Sequence, residues 1–259
     1  MTESIAAETR GGASQSPHLI RVLSQVRWPV MSGFAHDNVA DQLAIRIGKD
    51  YPLRERGQEL GFVVTPDGVT QQSGGTLHRF TDGDRHWTVT FAATFVTLET
   101  SAYRSHEDFI PRFVAVLREI KGYLPLQRWD RFGYRYTNRF SDESDLESLR
   151  EMFDPAVLGT LALSFGDTLV HHVGETVYDG GEASLLVKSA YLPPNASIDT
   201  TIQPVSTPSW MLDLDAFAGG PSSAFDDASL SQQASVLAAK ALDFFTKVTT
   251  DEYRARFTR

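Results

Sequence analysis

Residues 131–140 read Arg-Phe-Gly-Tyr-Arg-Tyr-Thr-Asn-Arg-Phe, and no other stretch restricts the fold as much. Phe132, Tyr134, Tyr136 and Phe140 alternate with Arg131, Arg135 and Arg139. Successive strand side chains point to opposite faces, so a period of two demands a strand with rings on one side and guanidinium groups on the other. Rings in such a stripe are read as core beneath flanking helices. Their rarer use, stacking the bases of a single-stranded nucleic acid, is the competing reading.

The same period recurs elsewhere. Ile20, Val22, Ser24, Val26 and Trp28 alternate with Arg21, Leu23, Gln25 and Arg27 up to Pro29, and Trp210, Leu212 and Leu214 alternate with Asp213 and Asp215. Helical spacing replaces it in three places. Val39, Leu43, Ile47 and Tyr51 form one amphipathic face from His36 to the break at Pro52. Ser105, with Asp108 three residues on, opens a helix whose Phe109, Phe113, Leu117 and Ile120 share a side. The longest helical pattern runs from Leu230 to Val248.

Several short strands are expected between Gly61 and Thr100. There Asp82-Gly83 reads as a two-residue type I′ turn, which sets His78 opposite Trp87 and Arg79 opposite His86. Further strands are expected at about 160–178 and 182–191, and a proline-rich loop or irregular edge segment at 193–209. The fold class is therefore α+β, a largely antiparallel sheet or sheets flanked by helices. A flexible tail at 1–16 precedes two related-looking halves, β-α-β-β-β-α-β over 17–141 and α-β-β-β-α over 142–259, packed as one unit.

With 259 residues the chain can bury roughly 70% of its unfolded surface. Its net charge of −9 repels polyphosphates and anionic bilayers, which disfavours nucleic acid and membrane as partners. No segment approaches the ~20 apolar residues of a membrane span. The absence of cysteine excludes disulfides, thiolate nucleophiles and cysteine-held zinc or iron–sulfur centres, and it fits a reducing, cytoplasmic setting.

Gln25-Val-Arg-Trp28, Arg79-Phe80, Leu98-Glu-Thr-Ser-Ala-Tyr103, Phe132-Gly-Tyr-Arg-Tyr-Thr-Asn138 and Leu212-Asp-Leu-Asp215 follow one another in an order that resembles a sporadically distributed bacterial family of about this length. Members of that family are uncharacterised, so the resemblance implies no catalytic residue. The chain departs from the family's pattern at Arg21 and Gln25, where the family has acids.

Arg131, Arg135 and Arg139 are candidates for an anion-binding face, because guanidinium offers a planar, permanently charged fork of donors to carboxylate or phosphate. Arg27, with Arg21, joins them if the first strand lies alongside. The competing use of these cations is pairing with Asp213 and Asp215. Those two aspartates also have the spacing to hold a hard cation, but no third carboxylate and no glycine-rich phosphate loop accompany them. The seven histidines show no His-x-His or His-x-x-x-His spacing, so no metal site is assigned. Nor is there a Gly-x-Ser-x-Gly elbow or a dinucleotide or nucleotide loop, so no cofactor is assigned.

The expectation is a non-catalytic binding or accessory protein, with a protein partner or a small anionic ligand. The alternative is a cofactor-independent enzyme acting on a small anionic substrate, with His86, His171 or His172 as acid–base group. A homo-oligomer built by pairing sheet edges is the third reading.

Overall fold

A computed structural model describes residues 17–31, 35–65, 68–124, 126–219 and 224–257, with backbone alone for 60–65 and 68–73. The expected tail at 1–16 lies outside the described residues. The alternating runs become β1 (Leu19–Arg27), β6 (Arg131–Phe140) and β9 (Ser209–Gly219). The remaining strands are β2 (Leu53–Thr65), β3 (Gly68–Thr81), β4 (Trp87–Ala92), β5 (Phe95–Thr100), β7 (His172–Tyr178) and β8 (Ser184–Leu192). All nine join one antiparallel sheet in the order β2-β3-β4-β5-β1-β6-β9-β8-β7. The α+β class is thus observed directly. Residues 17–141 supply six adjacent strands and 142–259 three, and β6 hydrogen-bonds to β9 across that division, so the sheet is continuous.

The helices α1 (His36–Ile47), α2 (His106–Lys121) and α6 (Asp227–Val248) cover one face. Each amphipathic stripe meets the ring-bearing side of the strands. Phe109, Phe113, Leu117 and Ile120 of α2 are fully buried, as are Phe132, Tyr134 and Phe140 of β6. Burying each such side chain is worth about 1.5–3 kcal/mol. The α2 start is fixed by the Ser105 hydroxyl, which accepts from the Asp108 amide at 3.3 Å, and α6 by the Asp226 carboxylate, which accepts from the Ser229 amide at 2.9 Å. Short helical turns α3 (Glu143–Glu147), α4 (Leu149–Met152) and α5 (Pro155–Leu158) follow β6, and α7 (Asp251–Phe257) ends the described chain.

Five local expectations change. Four strands rather than three lie between α1 and α2, because β2 begins at Leu53, directly after Pro52, and pairs with β3. Residues 155–162 are helical turns, so β7 starts only at His172 rather than near 160. The connection between β3 and β4 is a wider loop than the expected two-residue turn. The Asp82 carboxylate accepts from the backbone amides of His86 at 2.7 Å and Trp87 at 2.9 Å, and Arg85 takes a positive φ of 59°. His78 therefore stands opposite Phe91, four positions beyond the expected Trp87, and Arg79 stands opposite Thr90. Because four is even, each side chain keeps the face it was expected to occupy.

At the start of β1 a register irregularity between Leu19 and Arg21 turns Ile20 away from the main core, onto the opposite face. Finally, the proline-rich segment 193–208 is no sheet edge. It folds across the uncovered face, where Ile202 joins Ala190, Leu192 and Met211 in a second small core, with Ile20 and Ile198 against it. That strap builds one wall of the site.

Candidate functional site

The uncovered face collects the side chains of opposite parity, and they line a groove of about 890 Å³. Cross-strand register determines which of them meet. Arg27 lies beside Arg131, Leu23 beside Arg135, and Arg135 in turn beside Asp215, so β1, β6 and β9 bring guanidinium and carboxylate together at the middle of the sheet.

Arg135 grips Asp213 with two parallel bonds, Nε to Oδ1 and Nη2 to Oδ2, both 2.7 Å. Thr137 adds a third donor to Asp213 at 3.0 Å, and this aspartate side chain is only 2% exposed. Arg131 holds Asp215 at 2.7 Å. Gly133 makes room for that pair, since a Cβ there would lie 2.7 Å from Arg131 Nη1 and 3.3 Å from Asp215 Oδ1. From the strap, Asp199 Oδ2 reaches down to Arg21 at 2.8 Å and to Arg135 at 2.9 Å, and Thr201 accepts from Arg21 at 2.7 Å.

The electrostatics follow from this network. Burial alone would raise the Asp199 carboxyl, but hydrogen bonds from Thr201 and Arg21 outweigh it and hold the group well below the ordinary carboxylate range. Burial would likewise strip the charge from Arg135, yet Asp213 and Asp199 make its guanidinium firmer than usual. Glu99 and Asp215 go the other way. Burial raises both, against the opposing pull of Arg21 on Glu99 and of Arg131 on Asp215. Glu99 receives no hydrogen bond from Arg21, whose Nη1 is 3.9 Å away.

Of the residues picked out in the sequence, Arg21, Arg27, Arg131, Arg135 and Asp215 line the groove. Arg139 lies beyond its lining and donates to the Gln203 carbonyl at 2.8 Å. Three of these four lining arginines, Arg21, Arg131 and Arg135, are committed to aspartates. Arg27 is not: its Nε donates to the Gln25 carboxamide at 2.7 Å and its guanidinium covers the Phe95 ring at 5.2 Å. Arg79, Glu99, Asp199 and Thr97 also line the groove and were not singled out. For Arg79 and Thr97 the alternation of their strands was the only signal. For Asp199, inside an irregular loop, there was none.

The histidines proposed for acid–base work stand elsewhere. His86 sits in the β3–β4 loop beside Ser101, and His172 contacts Thr160 at 2.9 Å at the far edge of the sheet. His171, also exposed, precedes it. A cluster that sequence spacing does not show forms where α1 meets β3: the ligand atoms of His36, Asp37 and His78 lie within 4.8 Å of one another. Its hydrogen bonds disfavour a metal ion. Arg54 can only donate, so His78 Nδ1, 3.2 Å from it, must accept, and the ring proton lies on Nε2, which faces Asp37 at 2.9 Å. A metal on Nε2 would displace that proton and turn Nδ1–H against Arg54, the reverse of the acceptor a ligating histidine needs behind it. Arg56 holds the other Asp37 oxygen at 2.9 Å. Asp213 and Asp215, already gripped by guanidiniums, are poor cation ligands for the same reason. No known family model matches the chain, and no curated protein matches it in sequence.

Proposed function

We propose that the chain is a non-catalytic binding protein, an accessory component whose open-face groove holds a small acidic ligand. The observation that carries this reading is the division of labour among the groove's cations. Arg21, Arg131 and Arg135 form a rigid network with Asp199, Asp213 and Asp215, while Arg27 and Arg79 line the same cavity with no carboxylate within 4.0 Å among the described residues. A pre-set wall with cationic charge left over suits recognition, because little must be reorganised when the ligand arrives. The three histidines offered for the enzyme alternative do not line the groove, which supports binding over acid–base chemistry.

Isothermal titration and thermal shift of the purified chain with small carboxylates and phosphate test the proposal. Saturable, salt-sensitive binding with a raised melting temperature is the expected result. Flat titrations with every anion would end it. Turnover of a bound anion would instead favour the enzyme.

A further inference from the structure

The sequence reading put its anion site on Arg131, Arg135 and Arg139 of β6 together with Arg27 of β1, and the geometry argues for the side of the groove where Arg27 lies. Resting on the binding reading above, we infer that the ligand's oxyanion, a carboxylate or phosphate group, seats on the β3–β4–β5–β1 half of the groove, between Arg79 and Arg27. Three observations carry the placement. First, the β6–β9 half is self-neutralised, each of its guanidiniums lying 2.7–2.9 Å from an aspartate oxygen. An incoming anion there would have to displace a carboxylate already held in place.

Second, register aligns a row of hydrogen-bond donors across the other half. Arg79 stands opposite Thr90, Thr90 opposite Thr97, and Thr97 opposite Gln25. Adjacent strands lie about 4.8 Å apart, so Arg79 and Gln25 are separated by about 14 Å at the backbone, with two threonine hydroxyls between them. Gln25 accepts from Arg27 through its carboxamide oxygen, which leaves its NH₂ group as a donor.

Third, the two arginines flank an apolar patch. Arg27 leans from β1 over the ring of Phe95 on β5, and Arg79 leans the other way, toward β2, with its Nη1 beside Leu77 over Gly57. Leu77, Ala92 and Phe95 form a small buried apolar cluster between them, with Leu77 and Phe95 lining the groove. The subsite thus offers cationic forks at each end, hydroxyl and amide donors along its floor, and an apolar edge, which suits an organic acid or a phosphate monoester better than a bare inorganic ion.

The test is titration calorimetry with inorganic phosphate, succinate and phenyl phosphate on the full chain and on three variants, Arg27→Gln, Arg79→Gln and Arg131→Gln. Arg27→Gln and Arg79→Gln are each expected to weaken binding about tenfold or more, since each removes a charge-assisted donor. Their melting temperatures without ligand should stay near wild type, because neither arginine holds a carboxylate. Phenyl phosphate should bind more tightly than inorganic phosphate if the apolar edge takes part. Wild-type binding that survives both substitutions within twofold, or that is lost only in Arg131→Gln, overturns the placement and leaves the binding reading standing. No binding of any probe by the wild-type chain overturns both.

Discussion

Replacing Arg135 with Met probes the network at the residue that joins its parts. The substitution keeps most of the aliphatic stem and removes the fork that holds both oxygens of Asp213 at 2.7 Å. Asp213 is then left 2% exposed with Thr137 as its remaining side-chain donor, while Asp199 retains Arg21 at 2.8 Å. Breaking a buried pair from one side costs about 3–5 kcal/mol, because a charge stays behind without its partner. The Arg135 side chain is 23% exposed, so water screens part of the loss and the lower end, about 3 kcal/mol, is expected. For a chain of this size that lowers the melting temperature by about 6–10 °C.

Urea denaturation followed by tryptophan fluorescence should show a lower midpoint with an unchanged slope. Adding Asp213→Leu should then restore most of the stability, since the stranded charge is gone. Arg139→Met serves as a control on the same strand face. That guanidinium meets only the Gln203 carbonyl in a solvent-exposed bond, and its loss should stay within about 0.5–1 kcal/mol. The reasoning is refuted if Arg135→Met unfolds with the same midpoint as Arg139→Met, or if Asp213→Leu makes the Arg135 variant less stable still.

Three other perturbations bear on the same groove. Gly133→Ala should cost about 1 kcal/mol by pushing aside the Arg131 guanidinium, and the cost should vanish when the alanine is placed in an Arg131→Met background, as measured by urea midpoints. Asp199→Asn should remove stability at neutral pH. Because the Asp199 carboxyl is held below its ordinary value, that contribution exists above the ordinary carboxylate pKa and fades as pH falls through the lowered one, so the gap between the two melting curves should narrow below about pH 4. Glu99→Gln has the opposite sign. Burial raises the Glu99 carboxyl among Arg21, Arg79, Arg135 and Asp199, so the native state takes up its proton before the unfolded chain does. The variant should therefore melt higher than wild type at pH 8 and lose that advantage near pH 4.

Much of the fold was legible because one face of each central strand had to be apolar. The alternation in Arg131–Phe140 placed Phe132, Tyr134 and Phe140 inside, and all three are fully buried. The helix start at Ser105 was readable from cap chemistry and its cap makes its bond, whereas helical spacing gave Leu230–Val248 and missed the Asp226 cap that starts that helix at Asp227. Turn geometry was less legible. Asp82-Gly83 carries a strong hairpin signal, but the Asp82 side chain captured two amides and opened a wider loop. The strap at 193–208 was invisible for another reason. Its course depends on Ile198 and Ile202 packing with Leu192, Met211 and the distant Ile20, contacts that no local period encodes.

The site was half legible, and the missing half explains its chemistry. Alternation announces which face a guanidinium occupies but not what stands beside it, and on a sheet the neighbour decides whether a charge is spent or available. Arg131 and Arg135 border β9, which presents Asp213 and Asp215 on the same face, so both are consumed. Arg27 borders Phe95 on one side and Arg131 on the other, while Arg79 borders Thr90 and Glu55. Glu55, the one acid in the row of Arg79, faces Arg85 at 3.9 Å instead, and Glu99 in the same groove acts on Arg79 without lying within 4.0 Å of it. Arg27, a candidate from the start, and Arg79, which was passed over, are thus the two groove cations without a carboxylate within 4.0 Å among the described residues, and strand order rather than residue type makes them so.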